Sequence, residues 1–190
     1  MSFFARHTFS LISATVFMLF ASLVLWAYNH DLERDLQRPI SPTYPTEQSK
    51  VIIAYHNRPN IPHINYLLTN TLTQNPIKKI AYTLLLASKP QHKILTAYAY
   101  YAQFGQVQGL AKAAHSYFGV SVQHLSIGET LLLLELAQNP HLPITTPTTA
   151  LQLRDRLLSD LYNHHTLTQT QYQTECQKAL ALAADHKPIN

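Results

Sequence analysis

Eleven histidines and a set of lysines and arginines that meets no acid nearby in the chain are the residues here from which chemistry could be made. Glu47 and Glu129 bracket 81 residues without one aspartate or glutamate, while Lys50, Arg58, Lys78, Lys79, Lys89, Lys93 and Lys112 all fall inside that stretch. Cations unopposed by carboxylates attract anions, and beside an anionic membrane each exposed one is worth about 1 kcal/mol. General acid–base work by a carboxylate has no side chain to perform it there. A histidine, with its ordinary pKa of about 6.5, is the remaining base. A metal site is not expected. His164 and His165 are adjacent and point to different sides of a helix, His92, His115 and His124 lack cysteine or carboxylate partners nearby, and the single cysteine, Cys176, excludes a thiolate cage. No cofactor is implied, and nucleic acid is not expected as a partner. Tyr98, Tyr100, Tyr101 and Phe104 occupy more than one face of a helix, so core packing accounts for about two of these rings and the others are left to meet lipid, glycan or protein.

These side chains need elements to hold them. Residues 9–28, FSLISATVFMLFASLVLWAY, carry no charge for 20 residues, which at 1.5 Å per residue matches a hydrocarbon layer about 30 Å thick. The reading is a transmembrane helix with Trp26 and Tyr28 as interfacial anchors, preceded by a short terminus over 1–8. A cleaved secretory signal is the competing reading, but no small-x-small site follows and the apolar run is long for one. Charge leaves the orientation open, with Arg6 before the span and Arg34 and Arg38 after it. Residues 29–50 hold three prolines and read as a helical stub and then an extended linker, so one domain is expected over 51–185.

Within that domain Pro76 opens a helix over 77–87 whose Ile77, Ile80 and Leu84 share a face. A second helix is expected from Pro90 to Gly105, burying Ile94, Ala97, Tyr98 and Tyr101, and a third over 109–118. Ser126 and Glu129 form a capping box ahead of the LLLL run, the most buried helix. Two further helices are expected over 148–162 and 168–184, the second boxed by Thr168 and Gln171. Glu135 is expected to reach a neighbour from a helix edge, and Asp155 and Asp160 to sit among arginines on an exposed face. No strand pattern competes, so the domain reads as all-α.

The order of landmarks from Lys93 to Pro140 resembles the second half of bacterial peptidoglycan glycosyltransferases, the transglycosylase domain of class A penicillin-binding proteins. Ile94-Leu95 and Tyr98 fall on its ILExYLN helix, Gly109 and Ala113-Ala114 on GxxGxxxAA, Tyr117-Phe118-Gly119 on YFGK, and Leu125-Ser126 with Glu129 on LSxxEAALLA. The likeness runs on through Arg154 into LTQTQYQTECQKAL. Upstream, Lys78-Lys79 keep the basic pair of RKxxE with Tyr82 at its glutamate, and IIAYHNRPNIPHIN lies on FIAIEDxxFxxHxG, with His56 and Asn57 at Glu-Asp and His63 at the histidine. The GGSTITQQ segment has no room between His63 and Lys78.

This resemblance implies a lysozyme-like helical fold, degenerate and shortened, on the outer face of a bacterial inner membrane, single-pass, with the domain in the periplasm. It implies lipid II or a glycan strand as ligand, with Lys78, Lys79, Arg58, His63, Tyr98 and Gly109 at substrate or phosphate positions. It leaves the positions that should carry proton transfer as His56, Asn57 and Tyr82, none of them a carboxylate. The expected activity is therefore none: a membrane-anchored pseudoenzyme that binds lipid II, glycan or a cell-wall synthase and modulates peptidoglycan synthesis. The alternatives are a divergent monofunctional polymerase using His56 as base, and a structural component of a division or elongation complex.

Overall fold

Helices begin where the sequence supplies acceptors for their first N–H groups. Asn75 takes the N–H groups of Ile77 and Lys78 on its Oδ1 at 3.0 and 3.1 Å, ahead of Pro76. Ser126 with Glu129, and Thr168 with Gln171, form the two capping boxes as expected. The computed structural model describes residues 2–37, 46–58, 61–144, 146–180 and 182–183, with side chains at 2–13, 46 and 47 outside the described set. Its helices are α1 (Ser2–Leu36), α2 (Thr46–His56), α3 (Ile64–Leu72), α4 (Pro76–Leu86), α5 (Gln91–Tyr101), α6 (Leu110–Phe118), α7 (Ile127–Gln138), α8 (Pro147–Asn163) and α9 (Gln169–Gln177).

The domain is mostly helical, as its sequence indicates, with α7 at the centre. Leu131 to Leu134 are all fully buried, and α2, α6 and α8 pack around them. Gly128 lets α8 come close: a Cβ there would stand 2.7 Å from Cδ of Arg154. That arginine is itself buried, and donates to the carbonyls of Cys176 at 3.0 Å and Lys178 at 2.6 Å. A cation on the last carbonyls of α9 closes the helix, which ends at Gln177 and not at residue 184.

Two other expectations are corrected. The helix thought to reach Gly105 stops at Tyr101, because Phe104 turns into the core, and Gly105 at φ 62° closes a two-residue hairpin of β1 (Gln103–Phe104) with β2 (Val107–Gln108). The apolar face of α4 is reversed. Ile77, Ile80 and Leu84 are 64, 66 and 63% exposed, and the buried side is Ala81, Tyr82 and Leu86.

That reversal follows from a second, smaller core on the flank. Leu32 and Leu36 of α1 close with Leu68, Tyr82, Leu86, Ile94 and Ala97. Each such leucine contributes about 1.5–3 kcal/mol relative to exposure, so the helical stub expected after residue 28 is packed on the domain and not a free spacer. Further back along α1 the picture changes: Val16 to Phe20, Leu23 and Trp26 are exposed. The span expected over 9–28 is not recovered, since among the described residues no helix is long and apolar enough to cross a membrane. The side chains at 9–13 lie outside the described residues, and 14–28 alone extend about 22 Å.

Candidate functional site

α2 ends at His56, at the edge of the main core, the first of the two positions that the resemblance sets on a family glutamate. The imidazole is 3% exposed. Its Nδ1–H donates to the carbonyl of Pro62 at 3.1 Å, which leaves Nε2 with the lone pair. Nε2 is buried without a hydrogen-bond partner among the described residues, and so is the hydroxyl of Tyr98. The two rings meet edge to face at 5.0 Å, and Tyr55 closes the other side at 5.2 Å. Burial pushes the His56 pKa down to about 4, so the ring is neutral at pH 7. It is a weak and buried base.

Beside it the chain builds a polar rim. The Arg58 guanidinium lies 4.2 Å over the Tyr55 ring and reaches Asp160 at 3.5 Å. The Tyr55 hydroxyl donates to Glu135 at 2.7 Å, so Glu135 does reach a neighbour from its helix edge. Burial raises the pKa of Tyr55 well above the usual phenol range, with Glu135 adding to it. Two cavities share Arg58 and His164, one of about 400 Å³ reaching Asn57 and one of about 300 Å³ reaching Glu135. His63 stands apart as the cap of α3, its Nδ1 accepting from the N–H of Asn65 at 3.3 Å.

The second of those positions, Tyr82, is fully buried on α4 and faces α1. Its hydroxyl donates to Asp35 at 3.3 Å, and Lys78 lies 5.0 Å over its ring. Lys78 pairs with Asp31 at 3.2 Å; Lys89 pairs with Glu33 at 2.6 Å and donates to Asn29 at 2.6 Å; Lys93 pairs with Glu33 at 3.2 Å. The Lys78 bond holds the Asp31 carboxyl below its ordinary pKa, and the Lys89 and Lys93 bonds do the same for Glu33. The pKa of Lys78 is raised by its bond with Tyr82 and then by Asp31.

Of the lysines expected to stand unopposed, Lys78, Lys89 and Lys93 are therefore opposed. The acid-free stretch is a property of the chain order, and packing brings acids from residues 31 to 35 across to it. Lys79 alone of the basic pair points elsewhere, to Gln74 at 3.4 Å. The N–H groups of the first turn of α4, which add a dipole attraction for an anion, are already partly taken by Asn75. Gly109 caps α6 at φ 87°, where a Cβ would press on the Tyr100 carbonyl at 3.1 Å.

The structure thus joins His56 with Tyr98, and Arg58 with the cavities, while Lys78 and Tyr82 belong to the α1 flank. Sequence reading missed Asp31, Glu33 and Asp35; the spacing of four between Asp31 and Asp35 is the one signal that those two share a helix side. Tyr55 was also missed. Among the described residues no group of three or more histidine, cysteine or carboxylate side chains stands ready for a metal.

Comparison with known proteins places this geometry. The transglycosylase family profile matches residues 64–162, 99 of the 190. Lys78, Lys79, Tyr82, Tyr98 and Gly109 lie inside that span; His56, Asn57, Arg58 and His63 precede it. The chain is also similar to the crystal structure of penicillin-binding protein 1A from Haemophilus influenzae, with a TM-score of 0.51 and 16% identity over 76% of this chain and 18% of that one. At that identity the likeness is one of fold, and this chain spans less than a fifth of that protein's length. No curated protein matches.

Proposed function

The chain belongs to the transglycosylase family, and from that premise we propose that it serves peptidoglycan synthesis as a relative that engages lipid II, its glycan or a synthase without polymerising sugar. One observation carries this reading. Where the resemblance puts the two glutamates of the reaction, one position holds a sealed neutral imidazole and the other a buried phenol bound to α1. Transfer to a sugar hydroxyl needs a group that takes its proton and can be reached by it. His56 is a base in name only, and the phenol of Tyr82 already holds its proton at neutral pH, with burial raising its pKa further.

Localisation follows the same reading: α1 holds the domain against the outer face of an inner membrane. Its support is the exposed apolar surface from Val16 to Trp26, which water does not favour.

Binding of fluorescent lipid II by the full-length protein tests the proposal. The expected result is saturable binding without glycan product, weakened in Lys78→Ala/Lys79→Ala. A glycan ladder that vanishes in His56→Ala would establish the polymerase instead. Neither binding nor product, with a synthase retained in pull-down, would leave the structural role.

A further inference from the structure

α8 turns one face toward a cavity that neither His56 nor Tyr82 lines. Leu153, Arg156, Leu157 and Asp160 recur at spacings of three and four, so they stand in one row along that helix. Glu135 of α7 and Arg58 after α2 close the other side of the cavity, whose volume of about 300 Å³ is at the small end of the range for ligand sites. Its apolar wall is Ile61, Leu153 and Leu157.

Most of the charged groups around it are already fixed. The Arg58 side chain is 14% exposed, held by the Tyr55 ring, the Tyr55 carbonyl at 3.3 Å and Asp160 at 3.5 Å. The Tyr55 hydroxyl donates to Oε2 of Glu135, which leaves Oε1 without a hydrogen bond among the described residues. Asp160 is one turn after Arg156 and could answer it, but it answers Arg58 instead. Arg156 has neither ion pair nor hydrogen bond among the described residues. The cavity therefore offers a guanidinium for a carboxylate, a carboxylate oxygen for an ammonium, and an aliphatic surface. A ligand with only a negative charge would meet Glu135 and Asp160, and one with only a positive charge would meet Arg58 and Arg156, both unfavourable.

We propose that this cavity binds a free α-amino acid with an aliphatic side chain, its carboxylate on Arg156 and its ammonium on Glu135. Arg58 and Asp160 hold each other and shape the walls. Glu135, Arg156 and Asp160 fall on none of the landmarks that carry the family resemblance, and of the charged groups only Arg58 is at a position it assigns to substrate.

Saturation-transfer NMR of the full-length protein in neutral detergent tests the site with L-leucine, D-leucine, leucinamide, which lacks the carboxylate, and isocaproate, which lacks the ammonium. At least one leucine enantiomer should bind saturably, and both single-charge analogues should bind about tenfold more weakly, the scale of one charge-assisted contact. Arg156→Gln should weaken leucine by about tenfold without weakening leucinamide, and Glu135→Gln should weaken leucine without weakening isocaproate. Arg156 is on the surface and holds no other side chain, so its variant keeps the test open if Glu135→Gln unfolds through loss of the Tyr55 bond. Leucine binding that survives Arg156→Gln overturns the assignment. Leucinamide bound as tightly as leucine overturns it too, by making the cavity a site for amines, and no binding of either enantiomer overturns the site itself. None of these outcomes bears on lipid II, whose binding is measured separately.

Discussion

At the two places where the resemblance expects a carboxylate, the molecule has handled the loss in opposite ways. At the end of α2 the replacement is dry. His56 is enclosed by Tyr55 and Tyr98, keeps one hydrogen bond and leaves one nitrogen unpaired. At α4 the replacement is wired: Tyr82 sits in a small apolar cluster, yet its hydroxyl and its neighbouring lysine connect to acids of α1. The difference is one of dielectric. The first position resists charge by desolvation, and the second satisfies charge by pairing near the surface.

The largest effect should come from the wired side through its apolar part. Tyr82→Ala removes a fully buried ring from the cluster that holds α1, and should lower stability by about 3–5 kcal/mol in urea denaturation. Tyr82→Phe, which loses only the bond to Asp35, should cost about 1 kcal/mol. Near-equal losses would show that the hydroxyl, and not the packing, fixes α1.

Acid should reveal the dry side next. The folded pKa of His56 is about 4 against an unfolded value near 6.5. Above pH 6.5 the ring is neutral in both states and folding is unaffected. As pH falls from 6.5 to 4 the unfolded chain takes up a proton that the folded chain refuses, and about 3 kcal/mol of stability is lost. His56→Phe should flatten that slope; an unchanged slope assigns it to another group.

On the wired side the sign is the same but the window differs. Asp31 and Glu33 have lowered pKa values, so their contribution is present above the ordinary carboxylate range and is lost as pH falls through and below it.

Salt gives the smallest effect and the sharpest contrast. Glu33→Gln should cost about 1 kcal/mol or less at low ionic strength and nothing measurable in 1 M NaCl, while the His56 slope persists there. A salt-independent loss in Glu33→Gln would mean that its pairs with Lys89 and Lys93 are more buried than their geometry indicates.

Much of the fold could be read along the chain because its signals are local. Pro76, Ser126 with Glu129, and Thr168 with Gln171 act on their own first turns, and the unbroken leucines of α7 can only be central. What could not be read was the choice among faces and partners. Ile77, Ile80 and Leu84 have the spacing of a core stripe, but spacing does not say that Tyr82 and Leu86 will be offered Leu32 and Leu36 to pack against. The acid-free interval seemed to leave seven cations open; whether a charge is answered depends on neighbours in space, and for Lys78, Lys89 and Lys93 they come from 47 to 60 residues away and for Arg58 from 102. His56 could be named from its alignment, whereas its burial was visible only once Pro62 and Tyr98 were in place.

The central claim is that neither replaced position can accept a proton from a sugar hydroxyl. The most direct measurement is gel-resolved elongation of labelled lipid II by the purified full-length protein across pH 5 to 8. No strand longer than the starting material is the predicted result at any pH; strands that lengthen with wild type and fail with His56→Ala would contradict it.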